Sequence, residues 1–177
     1  VLGCGLLGRL IGHAALGRWS AIDADLDELK QIITTRADGL ELVHCIEGAS
    51  LLAEAARRQG DTGAARTWFE RAFSWCQTLN PAMKTRTLPA LARLFDVASD
   101  PDGGDPAAAQ LVLRKLERFA RVYPIGRPAA ALGEATLYLH RGRQRRAERV
   151  ARYAFAEAIR LEMPAVALAS LHHPAGP

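Results

Sequence analysis

The stretch Leu52-Ala53-Glu54-Ala55-Ala56-Arg57-Arg58-Gln59-Gly60-Asp61-Thr62-Gly63-Ala64-Ala65, continuing to Phe69 and Ala72, sets two runs of helix-forming residues on either side of a glycine. Ala, Leu, Arg and Gln favour helix, and Gly takes the left-handed conformation that ends one, so the stretch predicts helix, tight turn, helix. Ala65, Phe69 and Ala72 follow Gly60 by five, nine and twelve residues, offsets that share one helical face.

Those offsets recur along the chain. Gly17, Gly60, Gly104 and Gly142 are spaced by 43, 44 and 38 residues. Five residues after them stand Ile22, Ala65, Ala109 and Ala147; nine after, Leu26, Phe69, Leu113 and Ala151; twelve after, Leu29, Ala72, Leu116 and Ala154. Seven before each glycine stand Leu10, Ala53, Val97 and Ala135, on the helix leading into the turn. Breakers close the units at Asp38-Gly39, Asn80-Pro81, Tyr123-Pro124 and Met163-Pro164, because proline and the residue before it leave helical geometry. Asp105-Pro106 predicts an N-cap with proline at the first helical position, after a longer third turn over 101–105. The reading is nine helices over 2–15, 20–36, 40–59, 62–79, 85–99, 106–122, 127–141, 144–161 and 164–172. They form one domain of four antiparallel hairpins (units 1–39, 40–81, 82–124 and 125–164) followed by the start of a capping helix over 165–173.

Composition agrees. Alanine supplies 33 of 177 residues, whereas Val, Ile and Thr together supply 22, which argues against an all-β or Rossmann-type body. Charged residues at 24% and apolar ones at 49% are globular values. The net charge of +4 is uneven: residues 1–60 carry −2, 61–120 carry +1 and 121–177 carry +5. Cys4, Cys45 and Cys76 are odd in number and widely spaced, which suits reduced thiols and a cytoplasmic setting better than a disulfide framework. The apolar opening is cut by Arg9, short of the roughly 20 residues a membrane span needs, and neither a span nor a secretory signal is expected. Starting at Val1, the chain reads as a piece of a longer protein.

Gly60-Asp61-Thr62-Gly63-Ala64-Ala65 with Phe69, Ala72 and the upstream Leu52-Ala53 resembles a tetratricopeptide repeat (TPR), and Gly142, Ala147 and Ala154 with Tyr138 form a second match. The spacing exceeds the family's repeat of about 34 residues, and Ala151 stands where that family has an aromatic. The run Tyr123-Pro124-Ile125-Gly126-Arg127-Pro128 resembles helical regions of large bacterial regulators. The resemblance implies a right-handed α-solenoid that binds a protein or peptide as a regulatory or scaffolding segment, through a concave surface lined by the first helix of each hairpin. Carried onto this chain, that surface comprises Glu47, Ser50, Glu54 and Arg57 in the second unit, Leu91 and Leu94 in the third, and Leu132, Thr136 and Leu139 in the fourth. Taken singly, each of these leucines is better read as packing inside the array than as binding. Leu2, Leu6 and Leu10 at one end, and Val166, Leu168 and Leu171 at the other, offer apolar surface that missing chain or a second copy could cover.

Other motifs give weaker alternatives. Arg145, Arg149, Arg152 and Arg160 project roughly 140–220° from Ala147 on a helical wheel, forming with Arg141 and Arg143 a basic stripe opposite the expected core. Such a stripe could hold a phosphate, an acidic partner or only water; no aromatics interleave it, which disfavours nucleic acid. Gly3-Cys4-Gly5-Leu6-Leu7-Gly8 matches the dinucleotide fingerprint, with Asp23 about 20 residues on, yet lacks the βαβ frame that fingerprint needs. His44 and Cys45 are adjacent and point apart on a helix, while His172-His173 sits by Pro174, so no metal site or cofactor is expected. No residue constellation suggests catalysis.

Overall fold

The computed structural model describes residues 2–35, 41–79, 85–171 and 173–176, with the side chains of residues 2–4 left out. The breakers Asp38-Gly39 and Asn80-Pro81, and the terminal His172, lie outside the described residues. Every regular element among them is helical: α1 Leu2–Ala15, α2 Asp23–Thr35, α3 Leu42–Arg58, α4 Thr62–Thr78, α5 Leu88–Ala98, α6 Pro106–Val122, α7 Arg127–His140, α8 Gln144–Arg160 and α9 Pro164–Leu171. The fold class is all-α. Each helix begins and ends within a few residues of its expected bounds. No described helix is long and apolar enough to cross a membrane.

The chain divides into two compact units, Val1–Val97 and Ala98–Pro177. This division falls inside the third expected hairpin, assigning nearly all of α5 to the first unit and α6 to the second. In the first unit α3 packs against α1, α2 and α4. It is buried from Cys45 through Ala56, which makes it the central rod around which the others lie. In the second unit α7 packs against α6 and α8, and α9 lies mainly on α8.

The register accounts for both cores. All twelve apolar positions at offsets of five, nine and twelve are buried, as are Leu10, Ala53, Val97 and Ala135 seven residues before the glycines. Phe69 fills space that alanine leaves, stacking on Phe73 with ring centroids 5.6 Å apart. Leu6 and Leu10 are buried within the first unit, whereas Leu168 and Leu171 are exposed and Val166 is half-buried; the Leu2 side chain lies outside the described residues.

The turn glycines have two distinct reasons to be glycine. Gly17, Gly60 and Gly142 have φ of 69°, 77° and 65°. Each closes its helix with paired backbone bonds: Gly60 N–H donates to the Arg57 carbonyl (3.0 Å) and Asp61 N–H to that of Ala56 (2.9 Å), a Schellman motif. Gly104 is not left-handed; a side chain there would run into the carbonyl oxygens of Ala98 and Asp100. Asp61 and Asp105 then cap the next helices, their Oδ1 atoms accepting from Ala64 N–H and Ala107 N–H at 2.8 Å each. Pro106 opens α6 in the expected place.

The end of α8 repeats the Schellman geometry without a glycine: Glu162 has φ 55°, and Met163 N–H donates to the Ala158 carbonyl at 2.9 Å. A left-handed non-glycine residue costs about 1–2 kcal/mol, partly offset by the lower entropy of its unfolded chain. Glu162→Gly is therefore expected to stabilise the protein by about 0.5–1 kcal/mol, and Gly60→Ala to destabilise it by about 1 kcal/mol, read as opposite shifts of the urea midpoint at unchanged slope.

Candidate functional site

Along α3, Glu47, Ser50 and Glu54 form a polar stripe on an otherwise apolar rod, and the structure buries all three. Their hydrogen-bonding capacity is met from within the first unit. Arg93 of α5 forms an ion pair with Glu47 and donates from Nε to Ser50 Oγ at 3.0 Å. Ser50 in turn donates to the Glu47 carbonyl at 2.7 Å. Arg57 grips Glu54 with two bonds of 2.8 Å, and Arg58 Nε adds a third at 2.7 Å. Leu91 and Leu94 are buried on α5. The residues expected to line a groove in the second and third hairpins are thus occupied by the chain itself. Burial pushes the Glu47 carboxyl above its ordinary range, with Arg93 opposing.

The three tryptophans of the first unit each lie under an arginine. Arg58 stacks over Trp19 at 4.7 Å, and Arg71 lies over both Trp68 and Trp75 at 5.5 and 5.1 Å. Of these tryptophans Trp68 is buried, while Trp19 and Trp75 are half-buried.

In the second unit Leu132, Thr136 and Leu139 share one side of α7 and are half-buried. Residues after α9 return to that helix. Thr136 donates to the Leu132 carbonyl (3.1 Å) and pairs with His173 Nε2 (2.9 Å), while His173 Nδ1 accepts from Ala175 N–H (3.1 Å). With Nδ1 accepting, Nε2 carries the proton, and burial holds His173 below its usual pKa and neutral. Ala175 completes a cluster with Ala135, Ala147 and Ala151.

The opposite side of α7 is open. Arg127, Ala130, Ala131 and Glu134, spaced i, i+3, i+4, i+7, form the base of a cleft of about 600 Å³; α6 adds Glu117, Ala120 and Arg121, and α8 adds Arg149, Val150 and Tyr153. Leu132, Thr136 and Leu139 lie roughly 130–170° around α7 from this base. Ala120, Ala130 and Ala131 make a buried floor beneath an exposed Tyr153 ring. Each helix contributes one arginine. Arg127 is held by Glu157 at 3.3 Å, a carboxylate that also takes two bonds from Arg160 at 2.7 and 2.8 Å. Those bonds from Arg160 and then Arg127 bring the Glu157 pKa down to about 2 against the effect of burial. Arg121 and Arg149 make no hydrogen bond or ion pair with another described side chain.

The basic stripe faces solvent as its helical projection requires, but it is not one site. Arg149 enters the cleft, Arg145 joins Gly142, Arg143, Gln144 and Arg146 around a separate concavity of about 550 Å³ at the α7–α8 turn, and Arg152 lines neither. Gly3, Gly5 and Gly8 lie inside α1, and the described residues contain no strand. The fingerprint therefore lacks the strand-to-helix turn that would point its backbone N–H groups at a pyrophosphate. No family model, curated protein or solved structure matches this chain.

Of the expected site residues, the structure brings only Arg149 into the open cleft. Sequence reasoning missed Glu117, Arg121, Arg127, Glu134 and Tyr153; the i, i+3, i+4, i+7 pattern from Arg127 to Glu134 was the one signal that could have found part of it.

Two outcomes follow for the buried ion pairs. Arg93→Met leaves a buried carboxylate unpaired and should cost about 3–5 kcal/mol at neutral pH. Because burial raises the folded-state pKa of Glu47, protonation should favour the folded variant, so this deficit shrinks as pH falls through that raised pKa; denaturant melts across pH measure it. For Glu157 the sign is opposite: its depressed pKa contributes stability above the ordinary carboxylate value of 4.5, lost as pH falls toward about 2. Glu157→Gln should flatten that interval of an acid unfolding curve followed by circular dichroism.

Proposed function

We propose that this chain is a non-catalytic, TPR-like helical repeat module that binds a protein or peptide partner, serving as a regulatory or scaffolding segment of a larger bacterial protein. Support comes from the four-fold glycine register and its buried small residues, which suit hairpins built to stack on one another. One observation carries the binding role: three successive helices, α6, α7 and α8, jointly wall an open cleft with an alanine floor, an exposed aromatic ring and two guanidinium groups that have no acidic partner among the described residues. Its volume of about 600 Å³ lies within the range of ligand-binding clefts. Small floor residues leave room for a partner's bulky side chains, and a polar rim fixes their register. The surface used is then the cleft face of α7, with the Glu47–Arg57 stripe serving the first unit's own packing.

A second reading, an anion-binding or nucleic-acid-binding module, is favoured by the exposed Arg145, Arg149 and Arg152. Its mark is steeply salt-dependent binding of polyanions that weakens when all three are changed together.

The test is a backbone NMR titration of the full chain with peptides selected for binding from a random library. Shifts concentrated over 117–153 on the cleft face of α6, α7 and α8 are expected. Shifts confined to the 142–146 turn, or to Leu132, Thr136 and Leu139, would reject the assignment.

A further inference from the structure

The partner's chemistry can be read from the cleft, and the inference rests on the partner-binding reading above. We infer that the α6–α7–α8 cleft takes an acidic protein segment in which an apolar anchor is flanked by carboxylates, the anchor lying on the alanine floor beside Tyr153 and the carboxylates meeting Arg121 and Arg149.

Charge is the first argument. Ala98–Pro177 carry twelve basic and eight acidic residues, whereas Val1–Val97 carry eleven of each, so the unit that holds the cleft also holds the whole net charge of +4. Within the cleft the three arginines are not equivalent. Arg127 is already engaged by Glu157, 3.3 Å away, a carboxylate it shares with Arg160. Arg121 and Arg149, one on each wall, have no carboxylate partner among the described residues. A guanidinium donates through a fixed fork that fits a carboxylate with two parallel bonds, so two of them on opposite walls are suited to gripping two acidic side chains.

The floor is the second argument. Ala120, Ala130 and Ala131 are 9%, 8% and 6% exposed, and Val150 and Tyr153 form an apolar flank of which the tyrosine is 52% exposed. Burial of a partner's leucine or aromatic side chain there removes apolar surface from water on both sides, and the arginines then act in a partly desolvated setting.

The third argument separates peptide from nucleic acid. Glu117 and Glu134 stand in the same cleft as the arginines. A phosphate backbone carries charge at every step and would meet both carboxylates, whereas a peptide can place backbone N–H groups or a basic side chain there. One tyrosine also makes a poor stacking platform for successive bases.

A displayed random dodecapeptide library selected on the full chain tests this, with binders re-measured by fluorescence anisotropy. Expected binders carry net negative charge around a leucine or an aromatic residue. Their affinity should fall about tenfold or more when Arg121→Ala and Arg149→Ala are combined, and several-fold with Tyr153→Ala. Arg145→Ala with Arg152→Ala removes the same charge from the same unit outside the cleft and should change affinity less than about twofold; an equal loss from this control would mean general attraction and overturn the inference. Neutral or basic binders that still lose affinity with Tyr153→Ala would sink the acidic specificity while leaving the partner-binding reading in place. No binders at all, or binders indifferent to every cleft variant, would remove both, and an oligothymidylate bound more tightly than any selected peptide would assign the cleft to nucleic acid. Circular dichroism confirms that each variant folds; all five altered side chains are exposed.

Discussion

Close approach of paired helices along seams of small residues is the constraint on which the rest depends. Ala135 on α7 lies against Ala147 and Ala151 on α8, all fully buried, and an alanine floor lies beneath the cleft on the other side of α7. Side chains this small let paired backbones approach closely, while the buried leucines and isoleucines fill the wider gaps between helices. The seam works only if the second helix returns at once along the first. Left-handed glycines at 17, 60 and 142 provide that return, and the caps that follow leave few orphan backbone groups in the turn.

The first unit meets a different demand. A helix as enclosed as α3 is expected to be apolar all round, yet it carries Glu47, Ser50 and Glu54. Three arginines resolve this, two from the end of the same helix and one from α5. Arrangements of this kind often add less stability than an apolar core of equal volume, and losing either partner is costly because it leaves a charge buried and unpaired. Arg93 thereby ties α5 to α3 through Glu47 and Ser50.

The second unit divides its labour by helix face. One side of α7 is closed by the residues after α9, with His173 neutral against Thr136; the opposite side, walled by α6 and α8, stays open. Glu157 acts on the cleft from outside its lining, through Arg127. It holds Arg127 at the cleft base and takes Arg160 as well, while Arg121 and Arg149 have no carboxylate partner among the described residues.

Helix positions, turns and core register were legible in the amino-acid sequence because each depends on contacts a few residues apart: a glycine that must be left-handed, a proline that cannot continue a helix, apolar residues recurring on one face. Offsets of five, nine and twelve residues marked buried positions without exception. The site was mostly not legible. The repeat register alone puts Glu47 and Ser50 in a groove; the side chain that engages them, Arg93, lies 46 and 43 residues away. Glu157 and Arg127 are separated by 30 residues, and the cleft residues span three helices. Local sequence thus determined where this chain coils and which side of each coil avoids water. Only tertiary packing decided which polar side chains meet, since charges choose partners by distance in space, and separation along the chain carries no trace of it.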